Sequence, residues 1–332
     1  MKNNVKGLDG SNCERNDELM VLDCTIRDGG LMNDSQFSDE VVRAVYDCCA
    51  DSGINYMEIG FKNSQRLFSP AKYGPWRFCK EDDIRRIIGD NKRDVKLSAM
   101  ADAEKSDYKT DILKKSQSPL DLIRVACYSH QIPLALDMVK DAKDKGYEAT
   151  LNLMAICKLK ESELSRDLEI LSASEADAIY LMDSFGSLYC ESVKYLMTKY
   201  KRSLSAAGKK IGFHAHNNLQ LAFAKTIEAV NCGVDFIDAT MAGLGRGAGN
   251  CPMELLLGYI GRPVRPSLVC IQNYIEPLRK KLGWGFAHSY MLTGFLNEHP
   301  RSAMAFQEAE TIGDIGEFYD SIVAPKATEA KK

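Results

Sequence analysis

The sequence predicts an α/β protein of the (β/α)8 type, a TIM barrel with a C-terminal helical extension, and three observations carry that prediction. Amphipathic stretches alternate with short apolar runs along most of the chain, as in VYDCCADSGINYMEIGF, MVKDAKDKGYEATLNLMA and TIEAVNCGVDFIDATMA. Gly53, Gly146 and Gly233 stand where each of these helices would end, the position at which a left-handed C-cap favours glycine. Helix–strand repetition of this kind gives parallel strands joined by helical crossovers. The third observation is the count: eight apolar runs, the number that closes a barrel.

In order, the predicted strands lie near Val21–Thr25, Tyr56–Gly60, Val95–Met100, Leu122–Ala126, Ala149–Met154, Ala178–Met182, Lys210–His214 and Phe236–Thr240. Each is a short apolar run of the kind that strands buried on both faces show. Helical periodicity fills the gaps, most clearly at Asp39–Asp51, Pro133–Lys145 and Leu219–Asn231. The predicted organisation is a polar N-terminal tail over 1–17, a catalytic barrel over 18–262, a helical extension over 263–322 and a tail over 323–332. Beyond Pro263 the pattern is helical without strand-like runs, and the extension is expected to serve oligomerisation, as a homo-oligomer, or closure of the active site.

A chain of 332 residues with 45% hydrophobic side chains can bury one large core. Its 43 Lys and Arg against 46 Asp and Glu give a net charge of −3. The basic residues are scattered, so no nucleic-acid footprint is expected. No apolar run reaches the roughly 18 residues of a membrane span, and the N-terminus lacks the apolar core of a secretory signal. Eleven cysteines, an odd number with no CxxC pair, read as reduced thiols used as small core residues. The expected location is the cytoplasm.

Barrel enzymes carry their chemistry where strands end, so polar residues at those ends come next. The first run leads into CTIRDGG, which puts Arg27 and Asp28 on a loop where Gly29 and Gly30 would let backbone approach a ligand; a surface ion pair is the alternative. The seventh ends in GFHAHNN. His214 and His216 point to one face of an extended strand, and with Asp28 from the adjoining first strand they would make a two-histidine, one-carboxylate set with open positions. The chain has only five histidines, and two fall here. After the eighth run comes AGLGRGAGNCP, whose Gly243, Gly245, Gly247 and Gly249 suit an anion-binding loop, with Asn250 as a fourth ligand or a supporting group. The sixth offers Asp183 and Ser184, and the second Glu58 and Lys62. A lumen-facing Glu58 needs a partner, which Arg27 or Arg124 could supply; it is equally structural or catalytic.

Together, LDCTIRDGG, DSFG, GFHAHNN and GLGRGAGN resemble the superfamily of metal-dependent lyases, aldolases and Claisen synthases that includes 3-hydroxy-3-methylglutaryl-CoA lyase, and most of all its 4-hydroxy-2-oxovalerate aldolase branch. The resemblance spans about residues 21–295, with GFAHSY similar to the aldolases' tyrosine-bearing C-terminal segment. It implies a divalent metal, Mn²⁺ or Mg²⁺ favoured and Zn²⁺ or Co²⁺ as alternatives, held by Asp28, His214 and His216, with Asn250 as a further ligand. It implies Arg27 as enolate stabiliser, Tyr290 as the tyrosine of the aldolase segment, and a pyruvate-type enolate exchanged between a 2-oxo acid and an aldehyde. It also implies an aldehyde dehydrogenase partner. The aldolase motif carries a proton-accepting histidine where this chain has Leu31, so His288, Tyr290, Lys62 or a bound water would substitute. The rival readings are a Claisen synthase using acetyl-CoA, a non-haem iron oxygenase and an inactive partner subunit.

Overall fold

A computed structural model describes residues 18–309 and 313–324; the predicted tail over 1–17 and nearly all of that over 323–332 lie outside them. Eight strands form a closed, all-parallel barrel in chain order: β1 (Met20–Asp23), β2 (Tyr56–Phe61), β3 (Lys96–Asp102), β4 (Leu122–Cys127), β5 (Glu148–Leu153), β6 (Ala178–Asp183), β7 (Lys210–Ala215) and β8 (Phe236–Ala239). Each coincides with a predicted run to within a few residues. The fold is a TIM barrel.

Around and above it run α1 (Thr25–Gly29), α2 (Asp39–Asp51), α3 (Glu81–Ile88), α4 (Tyr108–Asp111), α5 (Ile132–Asp144), α6 (Glu161–Ser172), α7 (Cys190–Leu204), α8 (Ala222–Asn231) and α9 (Met253–Ile260). The C-terminal helices are α10 (Arg265–Cys270), α11 (Glu276–Leu282), α12 (His288–Phe295), α13 (Arg301–Glu308) and α14 (Ile315–Val323). Gly53, Gly146 and Gly233 all have positive φ after their helices, as the C-cap reading requires. No described helix is long and apolar enough to cross a membrane.

Alternation along the strands sorts the side chains into two cores. In β4, Ile123 and Val125 join the large cluster under the helices, while Leu122, Arg124 and Ala126 point into the lumen. Tyr56, Leu122, Ala178, Tyr180 and Phe236 pack the lumen floor. Gly212 leaves room there, because a Cβ on it would stand 2.4 Å from the Tyr180 ring. Toward the mouth, Phe61, Met100 and Ala126 form an apolar wall with Leu31 and Met154 against it.

One segment differs from the sequence reading. Thr25–Gly29 is a short helical turn, not strand end and open loop. Asp23 pins it by accepting from Thr25 N at 3.1 Å and from Thr25 Oγ1 at 2.7 Å, while Met241 N donates to the same hydroxyl at 2.8 Å. The last contact reaches across from the segment after β8, so local sequence does not announce it.

Candidate metal centre

The turn carries Arg27 and Asp28 into the mouth with both side chains buried. His214 and His216 leave the end of β7 on one face, their rings 4.8 Å apart. Ligand atoms of Asp28, His214 and His216 all lie within 4.8 Å of one another, and His216 Nε2 stands 3.7 Å from Asp28 Oδ2.

Each imidazole is aimed by its other nitrogen. His214 Nδ1 bonds Asp238 Oδ2 at 3.0 Å, and His216 Nδ1 donates to the Asp183 carbonyl at 3.0 Å. Both Nε2 atoms are therefore left buried without a partner, as is Asn250 Oδ1. Buried polar atoms without partners are costly, and two imidazole nitrogens that converge beside a carboxylate fit a cation. Burial, offset in part by Asp28, pushes His216 well below its ordinary range, so it is the neutral ligand form. Burial opposes ionisation of Asp28, but the guanidinium of Arg27, with that of Arg246, overcomes it and holds the carboxyl far below its usual range. A second trio, Cys24, His214 and Asp238, is also compact. It is the poorer site, because it would use the His214 nitrogen already bonded to Asp238, and burial keeps the Cys24 thiol protonated.

Behind the ligands runs a buried chain of alternating charge. Asp28 Oδ1 accepts from Arg27 Nη1 at 2.6 Å, and Arg27 Nε donates to Glu58 Oε2 at 2.7 Å. Arg124 Nη1 donates to the same Glu58 oxygen at 2.9 Å and its Nη2 to Asp238 Oδ2 at 2.6 Å. Arg124 also lies over the Tyr180 ring at 4.4 Å. The chain starts at Asp28 and ends at Asp238, which holds His214. Partners that orient ligands in this way set metal affinity nearly as much as the ligands do. Arg27 Nη2 alone of its donors is buried and unused.

Other predicted residues fall as follows. Asn250 Nδ2 donates to Asp28 Oδ2 at 2.5 Å. Gly245 permits this, since a Cβ there would lie 2.2 Å from Asn250 Nδ2 and 2.5 Å from Asp28 Oδ2. Gly247 has a φ of +60°, and a Cβ on it would stand 3.1 Å from the Tyr290 ring. Burial raises the Tyr290 phenol above its usual value, so it can donate a proton but not take one. Glu58 is the junction of two guanidiniums, a supporting position.

Other candidates are placed as follows. Asp183 is not open to substrate: Lys225 binds Oδ2 while Ser187 N and Leu188 N donate to Oδ1, so its contribution is the carbonyl that aims His216. At Gly29 Leu244 and Phe37 fill the space a Cβ would take, so this glycine lets the turn pack closely against them. His288 is exposed and packs its ring on Phe286 at 5.3 Å, apart from the buried ligand cluster. Lys62 is tied to Glu81 at 2.8 Å. Ser184 lies at the edge, its hydroxyl accepting from Ala155 N at 2.9 Å.

Sequence reasoning missed Asp238, although the period of two in FIDAT puts it on the lumen face beside His214. It also missed Lys225 and Arg246.

A family model described as HMGL-like matches residues 18–262, and the chain belongs to that family. Among similar proteins, the oxaloacetate decarboxylase of Mycobacterium tuberculosis is 31% identical over 270 residues, 80% of this chain and 76% of that one. The 4-hydroxy-2-oxovalerate aldolase of Thermus thermophilus is 29% identical over 245 residues, 73% and 69%. The N-terminal domain of a candidate aldolase from Bacteroides vulgatus superposes with a TM-score of 0.77 at 30% identity, covering 87% of this chain and 96% of that one. The carboxyl transferase domain of Rhizobium etli pyruvate carboxylase, at 18% identity and a TM-score of 0.66 over 88% and 54%, shares the fold.

Proposed function

We propose that the protein is a divalent-metal-dependent carbon–carbon lyase that cleaves a 4-hydroxy-2-oxo acid to a pyruvate-type enolate and an aldehyde, or runs the reverse addition. The observation that carries this is the pair of buried, unpartnered Nε2 atoms of His214 and His216 beside Asp28. A divalent cation held by those three side chains, with Asn250 Oδ1 available as a fourth ligand, supplies Lewis-acid polarisation of the 2-oxo acid carbonyl. Mn²⁺ or Mg²⁺ suits a set with carboxylate and amide oxygens, though two imidazoles admit others.

The chain's own groups do the rest. As the C3–C4 bond breaks, its electron pair moves onto the C2 carbonyl, and Arg27 Nη2 is the free, permanently charged donor for the oxyanion that develops. Glu58 and Asp28 hold that guanidinium still, so no reorganisation is needed when charge appears. The Tyr290 hydroxyl, kept protonated by burial, serves as a donor to a substrate oxygen on the Gly247 side.

Leu31 favours a second reading. It is half-buried against Phe61, Met100, Ala126 and Met154, and a retro-aldol step needs a base for the C4 hydroxyl proton. Decarboxylation of a 2-oxo diacid needs none: the C4 carboxylate leaves as CO₂, and the same electron pair makes the same enolate. The similarity to an oxaloacetate decarboxylase points the same way.

Pyruvate release from 4-hydroxy-2-oxopentanoate and from oxaloacetate, each with and without added Mn²⁺ or Mg²⁺, tests both. Metal-dependent pyruvate with acetaldehyde supports the aldolase, and metal-dependent pyruvate from oxaloacetate alone supports the decarboxylase. Turnover that survives chelation overturns the metal reading.

A further inference from the structure

Arg246, in the glycine-rich loop after β8, has no role in holding the ligands. Its Nη2 donates to the Ser184 carbonyl at 2.8 Å, its only side-chain hydrogen bond among the described residues, and its Nε is buried without a partner. Among those residues it forms no ion pair with any carboxylate. Its neighbours place it over the mouth: Gly245 abuts Asp28 and Asn250, and Ser184 follows Asp183, whose carbonyl aims His216.

The surroundings are cationic. The His299 ring packs edge-on to Phe185 at 5.3 Å, and its Nδ1 accepts from Arg301 N at 3.1 Å, which brings Arg301 to the same rim. Arg301 and Lys105 have no ion pair among the described residues either. Burial and the charges of Arg246, Arg301 and Lys105 push His299 down to about 4, against the weaker pull of Glu298. Asp28 is the leading carboxylate acting on Arg246, and Glu298, the one acting on His299, pairs with Lys158 at 3.4 Å.

A charge count shows what is missing. The buried chain holds three carboxylates (Asp28, Glu58, Asp238) and two guanidiniums (Arg27, Arg124), a net single negative charge. A divalent cation makes that a single positive charge, which a monoanionic 2-oxo acid cancels. Arg246 adds one more. Arg246 is half-buried and pairs with no carboxylate among the described residues, so a second negative charge on the ligand would be its counter-charge.

We propose that Arg246 is a specificity residue that binds a second anionic group, carboxylate or phosphate, at the far end of the 2-oxo acid substrate. This rests on the reading of the site as a 2-oxo acid lyase and narrows its substrate class to dianions. Arg246 acts by binding and takes no part in bond cleavage. Its buried Nε, without a partner, is a free donor for a carboxylate or phosphate oxygen.

Calorimetric titration of the Mn²⁺-loaded full-length protein separates the two readings without relying on turnover. The ligands are 2-oxopentanoate, 2-oxoglutarate, which adds a carboxylate at the same chain length, and 2-oxo-4-phosphonobutanoate. The wild type is expected to bind at least one dianion about tenfold or more tighter than 2-oxopentanoate, and the preferred dianion tells carboxylate from phosphate. In R246M that ratio falls to within about threefold of one, and R246K, which keeps the charge, retains part of it. Binding all three equally in the wild type, or an undiminished ratio in R246M, overturns the inference and leaves the lyase reading standing. Failure of the wild type to bind any of the three overturns both.

Discussion

Arg27 joins two carboxylates through different nitrogens and keeps a third for the reaction, so its removal has two separable effects. R27M is expected to lower kcat/KM by about 10²–10³, the usual loss for one oxyanion donor. It also leaves Glu58 with Arg124 alone, and a broken buried pair costs about 3–5 kcal/mol. Steady-state kinetics and urea denaturation check the two. Asp23 gives a pH signature of its own. Burial, against two hydrogen bonds from Thr25, raises its carboxyl from the usual 3.8 to about 7. Between those values the folded chain keeps a proton that the unfolded chain has lost, so this group makes stability fall as pH rises from about 4 to 7 and adds nothing further above. D23N has no such proton, so its stability relative to wild type should climb over that interval. Urea midpoints at several pH values from 4.5 to 8 read it, and a constant difference would refute the assignment.

At the level of elements, the turn α1 and the loop after β8 interlock around Gly245. G245A would put a Cβ 2.2 Å from Asn250 Nδ2 and 2.5 Å from Asp28 Oδ2, so both side chains must shift and their contact is expected to be lost. Its Mn²⁺ affinity should fall by about 10–100-fold, the range for lost outer-shell support, while the far-UV spectrum stays that of wild type. Equal affinity would show that the close approach at Gly245 has no bearing on the ligands. The strands were legible in the sequence because each is buried on both faces and stands out as an apolar run bounded by turns. His214 and His216 were legible because period two fixes their common face. Their supports were not. The chain through Arg27, Glu58, Arg124 and Asp238 joins strands on opposite sides of the barrel, and Asp183 looks like a site carboxylate until Lys225 is seen beneath it. Arg246 was hidden among glycines that drew the reading toward backbone.

For the whole molecule, the C-terminal helices complete the mouth. Trp284 Nε1 donates to Ala242 O at 3.1 Å, Gly285 N donates to Gly247 O at 3.0 Å, and the Tyr290 ring covers Gly247. These contacts brace the loop after β8 from the C-terminal side. The buried charge chain runs from Asp28 to Asp238, which holds His214, so on the proposed reading metal binding would be linked to folding. At about 100 times Kd, Mn²⁺ is expected to add about 2.7 kcal/mol to the stability of the folded chain. The most direct test is Mn²⁺ titration of the metal-free protein, followed by calorimetry or electron spin resonance, for wild type and the H214A/H216A double variant. One ion per wild-type chain, and a loss in the double variant well beyond the roughly 100-fold that outer-shell changes produce, is the predicted result. Equal binding by both proteins, or none by the wild type, would contradict the account.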